Sequence, residues 1–126
     1  MIPWCAAFVN WCLGRCGRIG SRSASSQSFL TKDFKQTDDP KTGDLAIFTC
    51  YDKSTGKSLG LGHATFFKKK VTNNKITVVG GNQSVDRHSS IICEKEFVTT
   101  DSDARRHVDG KYVLCTIRLN AYIRIV

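Results

Sequence analysis

The stretch PWCAAFVNWCL, Pro3 to Leu13, decides how the rest of the chain has to fold. Pro3 suits the first position of a helix, where its missing N–H costs nothing. Trp4, Phe8, Trp11 and Cys12 recur at helical spacing, and so do Cys5, Val9, Cys12 and Cys16. Apolar character on most sides implies a buried helix, with Gly14 and Gly17 as plausible stops.

Working outward, Ser21 to Ser28 reads either as a short second helix opened by a serine cap or as a loop. Lys35 to Gly43, polar and containing Pro40, reads as a connection. From Asp44 the period changes. Leu45-Ala46-Ile47-Phe48 reads as a short buried strand, followed by a polar turn over Lys53 to Lys57. His63 to Lys69 and Lys75 to Val79 read as two strands joined at Val71 to Asn74, and Ser89 to Cys93 and Tyr112 to Leu119 as further strands. Helices followed by strands predict an α+β domain with an antiparallel sheet.

The 126 residues fit a single domain, with the helical part expected over about 3–30 and the sheet over about 44–126. A composition of 40% hydrophobic and 24% charged residues excludes a disordered chain. No apolar run approaches the roughly 20 residues needed to span a bilayer. No basic segment precedes an apolar stretch, so a signal peptide is not expected. A formal charge of +8 favours anionic partners, whether nucleic acid, lipid or cell-wall polymer. Six cysteines do not settle the redox compartment; Cys12 and Cys16 could meet across one helical turn, where a bridge would constrain little.

Cys5 falls in the first turn of the predicted helix, where unsatisfied N–H groups and the helix dipole favour a thiolate. The same helix end can donate to an oxyanion formed beside the sulfur. By itself, a cysteine there is more readily a small buried apolar residue. His63 follows Gly60-Leu61-Gly62 and opens a strand, and a histidine within reach of the thiol can act as a general base. If the strand Ile76 to Val79 pairs antiparallel with that of His63, its end at Gly80-Gly81-Asn82-Gln83 lies beside the imidazole. Asn82 is then placed to orient the ring, with Gln83 as the alternative.

PWCAAFVNWCL, KTGDLAIF (Lys41 to Phe48), GHATFF (Gly62 to Phe67) and VVGGNQS (Val78 to Ser84) occur in that order. In this the chain resembles the NlpC-type and CHAP branch of papain-like cell-wall hydrolases. The resemblance implies a papain-like α+β fold with N-terminal helices packed on an antiparallel sheet. It also implies Cys5 as nucleophile, His63 as base, Asn82 as orienter, and Trp4, Gly62 and Gln83 as candidate substrate contacts. Gly43-Asp44 matches a structural turn of the family. The implied reaction is hydrolysis of a peptidoglycan amide bond, as an amidase or endopeptidase, through a thioester and without a cofactor. Action in the wall or periplasm without a signal peptide implies another delivery route, and an antibacterial effector would need a cognate immunity protein.

Rival readings are a non-catalytic basic module binding nucleic acid or wall polymer, and a cysteine protease or transacylase with another substrate. A metal site is not expected, since neither a CxxC pair nor HExxH occurs. His88 and His107 read as solvated, Lys68-Lys69-Lys70 as a basic turn, Arg105-Arg106-His107 as a charged turn, and Trp4 and Trp11 as core residues of the apolar helix.

Overall fold

The structure is a computed structural model that describes residues 4–84 and 90–125, the side chain of His107 excepted. Pro3, His88 and Ser89, on which expectations were placed, lie outside the described residues, as does the His107 side chain. Among the described residues, one α-helix, α1 (Cys5–Arg15), and a one-turn 3-10 helix (Ser26–Phe29) precede seven strands. The strands are β1 (Gln36–Thr37), β2 (Leu45–Asp52), β3 (Ser58–Thr72), β4 (Lys75–Gln83), β5 (Ile91–Val98), β6 (Ser102–Val108) and β7 (Lys111–Ile123). They form one antiparallel sheet in the order β1-β7-β2-β3-β4-β5, with β6 paired to the first half of β7.

The expected α+β order is present, with one α-helix where several helices were expected. The Ser-rich stretch supplies only the 3-10 turn, whose cap Ser25 accepts from the Gln27 N–H. α1 ends where Gly17 adopts φ +71°, a left-handed value that costs glycine little. There the Arg18 N–H reaches the Leu13 carbonyl at 2.8 Å and the Gly17 N–H reaches that of Gly14 at 3.1 Å. The helix is not buried all round: Cys5, Ala6, Val9 and Leu13 are covered, but Trp11 is 64% exposed. It lies on the surface of a sheet, which can cover only one of its faces.

The sheet has two apolar faces. On one, Ala6, Val9 and Leu13 of α1 join Phe29, Leu45, Ile47, Ala64, Ala121 and Ile123. On the other, Ala46, Phe48, Phe67, Ile76 and Val78 gather with Phe97, Ile117, Leu119 and Tyr122. β2 is consequently buried on both sides along Leu45 to Cys50, which explains its continuous apolar run. β2 and β3 both extend beyond their expected ends, because pairing with neighbouring strands holds polar residues extended there. β6 was not expected at all; its sequence SDARRHV carries charge but pairs residue for residue with β7. Arg105 and Arg106 thus belong to a strand and not to a charged turn.

Asp44 fixes the entry to β2. Its buried carboxylate accepts from the Lys41 N–H at 2.8 Å and the Ile125 N–H at 2.8 Å, and meets Arg124 Nε at 3.1 Å. A charge so placed needs these partners to offset its lost hydration.

Candidate active site

Cys5 is the first residue of α1 and only 3% exposed. The first helical hydrogen bond runs from the Phe8 N–H to the Trp4 carbonyl, 3.0 Å. N–H groups before it have no acceptor within the helix, by the geometry of an α-helix start. The Trp4 side chain does not cap them, and no acidic residue occupies the first turn. The electrostatically positive end of α1 is therefore not neutralised from within the helix, a setting in which its N–H groups can donate to an oxyanion. Trp4 and Phe8 lie over Gly81: a Cβ added there would come within 2.4 Å of the Trp4 ring and 2.9 Å of Phe8 Cβ.

His63 stands opposite Phe48 in the β2–β3 register, whereas its neighbour Ala64 stands opposite Ile47. Cross-strand partners share a face and successive residues alternate. Ala64 and Ile47 belong to the core under α1, so the His63 side chain lies on the other face, with its ring 5.4 Å from that of Phe97. No hydrogen bond joins Cys5 to His63 among the described residues, and the expected thiol–imidazole pair is not assembled here. The strand's period of two is the physical cause: whatever puts Ala64 under the helix turns His63 away from it.

The polar partner of His63 is Gln83, whose Oε1 lies 3.0 Å from His63 Nε2. Thr65 Oγ1 donates to the same oxygen at 2.9 Å. Gln83 Nε2 donates to the Cys93 carbonyl at 2.8 Å and lies 3.7 Å from Cys93 Sγ. With its amide nitrogen committed to a carbonyl, Gln83 faces His63 with an acceptor. The imidazole proton is thereby assigned to Nε2, and Nδ1 keeps the lone pair. Burial pushes the His63 pKa down to about 4; the bond to Gln83 opposes this, while Arg106 and Lys95 add to it. The ring is neutral at neutral pH, the state a general base requires.

Asn82, expected to orient His63, is turned elsewhere. Three steps of β4 from Gly80 to Gln83 face two steps of β5 from Cys93 to Ile91, a bulge that contains Asn82 at φ +56°. Its Oδ1 accepts from Ser90 Oγ at 2.5 Å, and Ser90 Oγ in turn accepts from Trp4 Nε1 at 3.1 Å. Asn82 is thus tied to the start of α1, and the bulge gives the imidazole to Gln83. Gly62 leaves no room for a side chain, since an added Cβ would lie 1.9 Å from the Phe48 carbonyl oxygen.

A cavity of about 450 Å³ opens on the His63 face, with His63, Asn82, Gln83, Lys95, Phe97 and Arg106 among its lining. Cys5 does not line it. Lys95 and Arg106 lie in charged stretches whose local sequence assigns them no role. The alternation of β5, which turns Cys93, Lys95 and Phe97 inward together, was the available signal. Among the described residues no group of three or more His, Cys, Asp or Glu could hold a metal ion, and no helix is long and apolar enough to cross a membrane.

A buried cysteine heads α1, which lies on an antiparallel sheet whose far face carries a buried histidine. The family model of the CHAP domain matches residues 1–82, well over half of the chain, and the chain belongs to the CHAP domain family. CHAP domains are typically cysteine/histidine-dependent amidohydrolases, and membership implies peptidoglycan hydrolase function at the level of the family. The match carries no assignment to the NlpC branch. A papain-like fold is met in part, with one helix and a large antiparallel sheet. The match ends at Asn82, so Gln83 and strands β5 to β7 lie beyond it. Searches of curated proteins and of solved structures found no match.

Proposed function

We propose that this chain hydrolyses an amide bond of peptidoglycan, as an amidase or endopeptidase, with Cys5 as its nucleophile. The observation that carries the reading is the position of Cys5, first residue of an uncapped helix within the span matched to the family. Attack of the thiolate on the carbonyl carbon gives a tetrahedral oxyanion, for which the N–H groups opening α1 are donors. Collapse breaks the C–N bond, the amine leaves with a proton from the base, and water then releases the acyl group from the thioester.

His63 is the proposed base and Asn82 the proposed orienter, with Trp4, Gly62 and Gln83 beside them. For His63 to serve Cys5, the start of β3 has to turn its side chains over, which a one-residue change of pairing accomplishes. Gly60 at φ +72° and the irregular β2–β3 pairing between Thr49 and Tyr51 mark where the strand can absorb that change. Asn82, already linked to the α1 terminus through Ser90 and Trp4, is the polar group on hand in that arrangement. A charge of +8 draws the protein to an anionic wall. The role proposed is that of an antibacterial effector or phage-type lysin acting in the wall or periplasm. As an effector it would have a cognate immunity protein as partner.

Digestion of purified peptidoglycan followed by mass spectrometry of the products tests the reading. Each cleavage by the wild-type protein should leave a new amine on one product and a new carboxylate on the other. Cys5→Ala, a near-isosteric change, should release no products while retaining the fold by circular dichroism. Undiminished products from Cys5→Ala would remove Cys5 as the nucleophile.

One observation favours a second reading. Cys5 is buried and His63 stands on the opposite face, as expected of a non-catalytic basic module that holds an anionic polymer. Iodoacetamide separates the two. The hydrolase should be alkylated selectively at Cys5 at neutral pH, whereas a binding module should resist alkylation there and bind with a steep salt dependence. A protease or transacylase on the same machinery would label at Cys5 but leave peptidoglycan intact.

A further inference from the structure

The cavity on the His63 face lies across the sheet from Cys5, and its chemistry differs from that of a hydrolytic cleft. Its floor is apolar, made by Phe48, Phe97 and Ile117 around the neutral His63. Lys95 and Arg106, both half-buried, converge on it from β5 and β6, and both bear electrostatically on His63. Two acidic residues, Asp103 and Glu96, also line the cavity, and each has a lysine partner. Asp103 pairs with Lys53, and Glu96 lies 3.8 Å from Lys75.

Neither cation has a carboxylate partner among the described residues. Lys95 donates to the Ser84 carbonyl and lies 5.7 Å from the Phe97 ring centroid, while Arg106 Nη1 donates to the neighbouring Arg105 carbonyl at 3.1 Å and its side chain also engages Cys50. Each keeps further N–H donors. Two incompletely engaged cations over an apolar floor form a receptor for a molecule with an oxyanion head and an apolar body. A free surface lysine would gain little from such a partner, but half-burial lowers the screening and raises the value of the contact.

We propose that this cavity is an oxyanion-binding site, in which Lys95 and Arg106 hold a carboxylate or phosphate group above His63, independently of Cys5. The proposal goes beyond the hydrolase reading and needs no turnover to be tested. Inorganic phosphate and acetate are titrated separately into 15N-labelled protein at constant ionic strength, following amide shifts by NMR. Saturable shifts confined to β4, β5 and β6 support the site, and whichever anion binds more tightly identifies its head group. Arg106→Gln and Lys95→Gln should each weaken that binding by about tenfold, the loss of one charge-assisted contact. Lys70→Gln, an equal change of charge on exposed β3, should leave it unchanged. Absence of saturable shifts with both anions overturns the proposal, as does equal weakening by Lys70→Gln. The spectra also report whether each variant is folded, and either of the two cavity variants suffices for the comparison.

Discussion

Gln83 Oε1 and His63 Nε2 lie 3.0 Å apart on the face of the sheet that α1 does not cover. The pair joins β4 to β3 in the interior and assigns the imidazole proton to Nε2. Replacing Gln83 by Leu would strip His63, the Thr65 hydroxyl and the Cys93 carbonyl of one partner at once. A loss of about 1–3 kcal/mol in denaturant unfolding is expected, with a changed imidazole 15N signature. Asn82→Ala, which removes a partly exposed acceptor of Ser90, should cost less and leave that signature in place. The reverse ranking would mean that Asn82 is the partner of His63 in solution.

Acid should weaken the fold through His63. Its folded pKa, pushed down to about 4, lies below the ordinary histidine value of 6.5. The unfolded chain therefore takes up the proton first. This contribution to stability is fully present above pH 6.5 and is lost as the pH falls toward 4. The loss amounts to roughly 3 kcal/mol at most, at 1.36 kcal/mol per pH unit. Urea midpoints measured from pH 7 to pH 4 should show this slope, and His63→Gln should flatten it.

The adjacent glycines of the VVGGNQS segment answer to different faces. A Cβ at Gly80 would lie 2.3 Å from Thr65 Oγ1 and 2.6 Å from Gln83 Oε1, whereas one at Gly81 would strike Trp4 and Phe8. Gly80→Ala should therefore disturb the His63 imidazole signals and leave tryptophan fluorescence unchanged. Gly81→Ala should shift the fluorescence and leave the imidazole alone, each at a cost of roughly 1–3 kcal/mol from overpacking. Indistinguishable responses would mean that the two faces are not separated as described.

Asp44→Ala would leave the Lys41 and Ile125 N–H groups unpaired and Arg124 without its carboxylate. About 3 kcal/mol of stability should be lost, because breaking one side of a buried pair costs more than the pair contributes. Peptidoglycan products normalised to folded protein should be unchanged, which separates this residue from the nucleophile.

The order of elements, the buried character of β2 and the start of α1 at Cys5 could be read from periodicity, because each depends on local spacing. The relative placement of His63 could not. Which face a strand residue takes is a matter of register, and register in β3 is set by Ala64 fitting under α1, a contact with a helix some fifty residues earlier. The exchange of Asn82 for Gln83 turns on a single bulged residue for the same reason. β6 escaped notice because SDARRHV has no apolar alternation and owes its extended form to pairing with β7. Arg106, carried by that strand, went unassigned with it.

The position of β7 in the sheet has a consequence for synthesis. Ile123 and Ala121 complete the apolar bed of α1, and β1 pairs only with the last residues of β7. The helix bearing Cys5 leaves the ribosome well before the strand that completes its bed, which is finished only when residues near 123 have emerged. Closing contacts so remote in sequence is slow. A nascent chain therefore holds α1 on an unfinished bed until β7 has been made, so the burial of Cys5 waits on the synthesis of that strand.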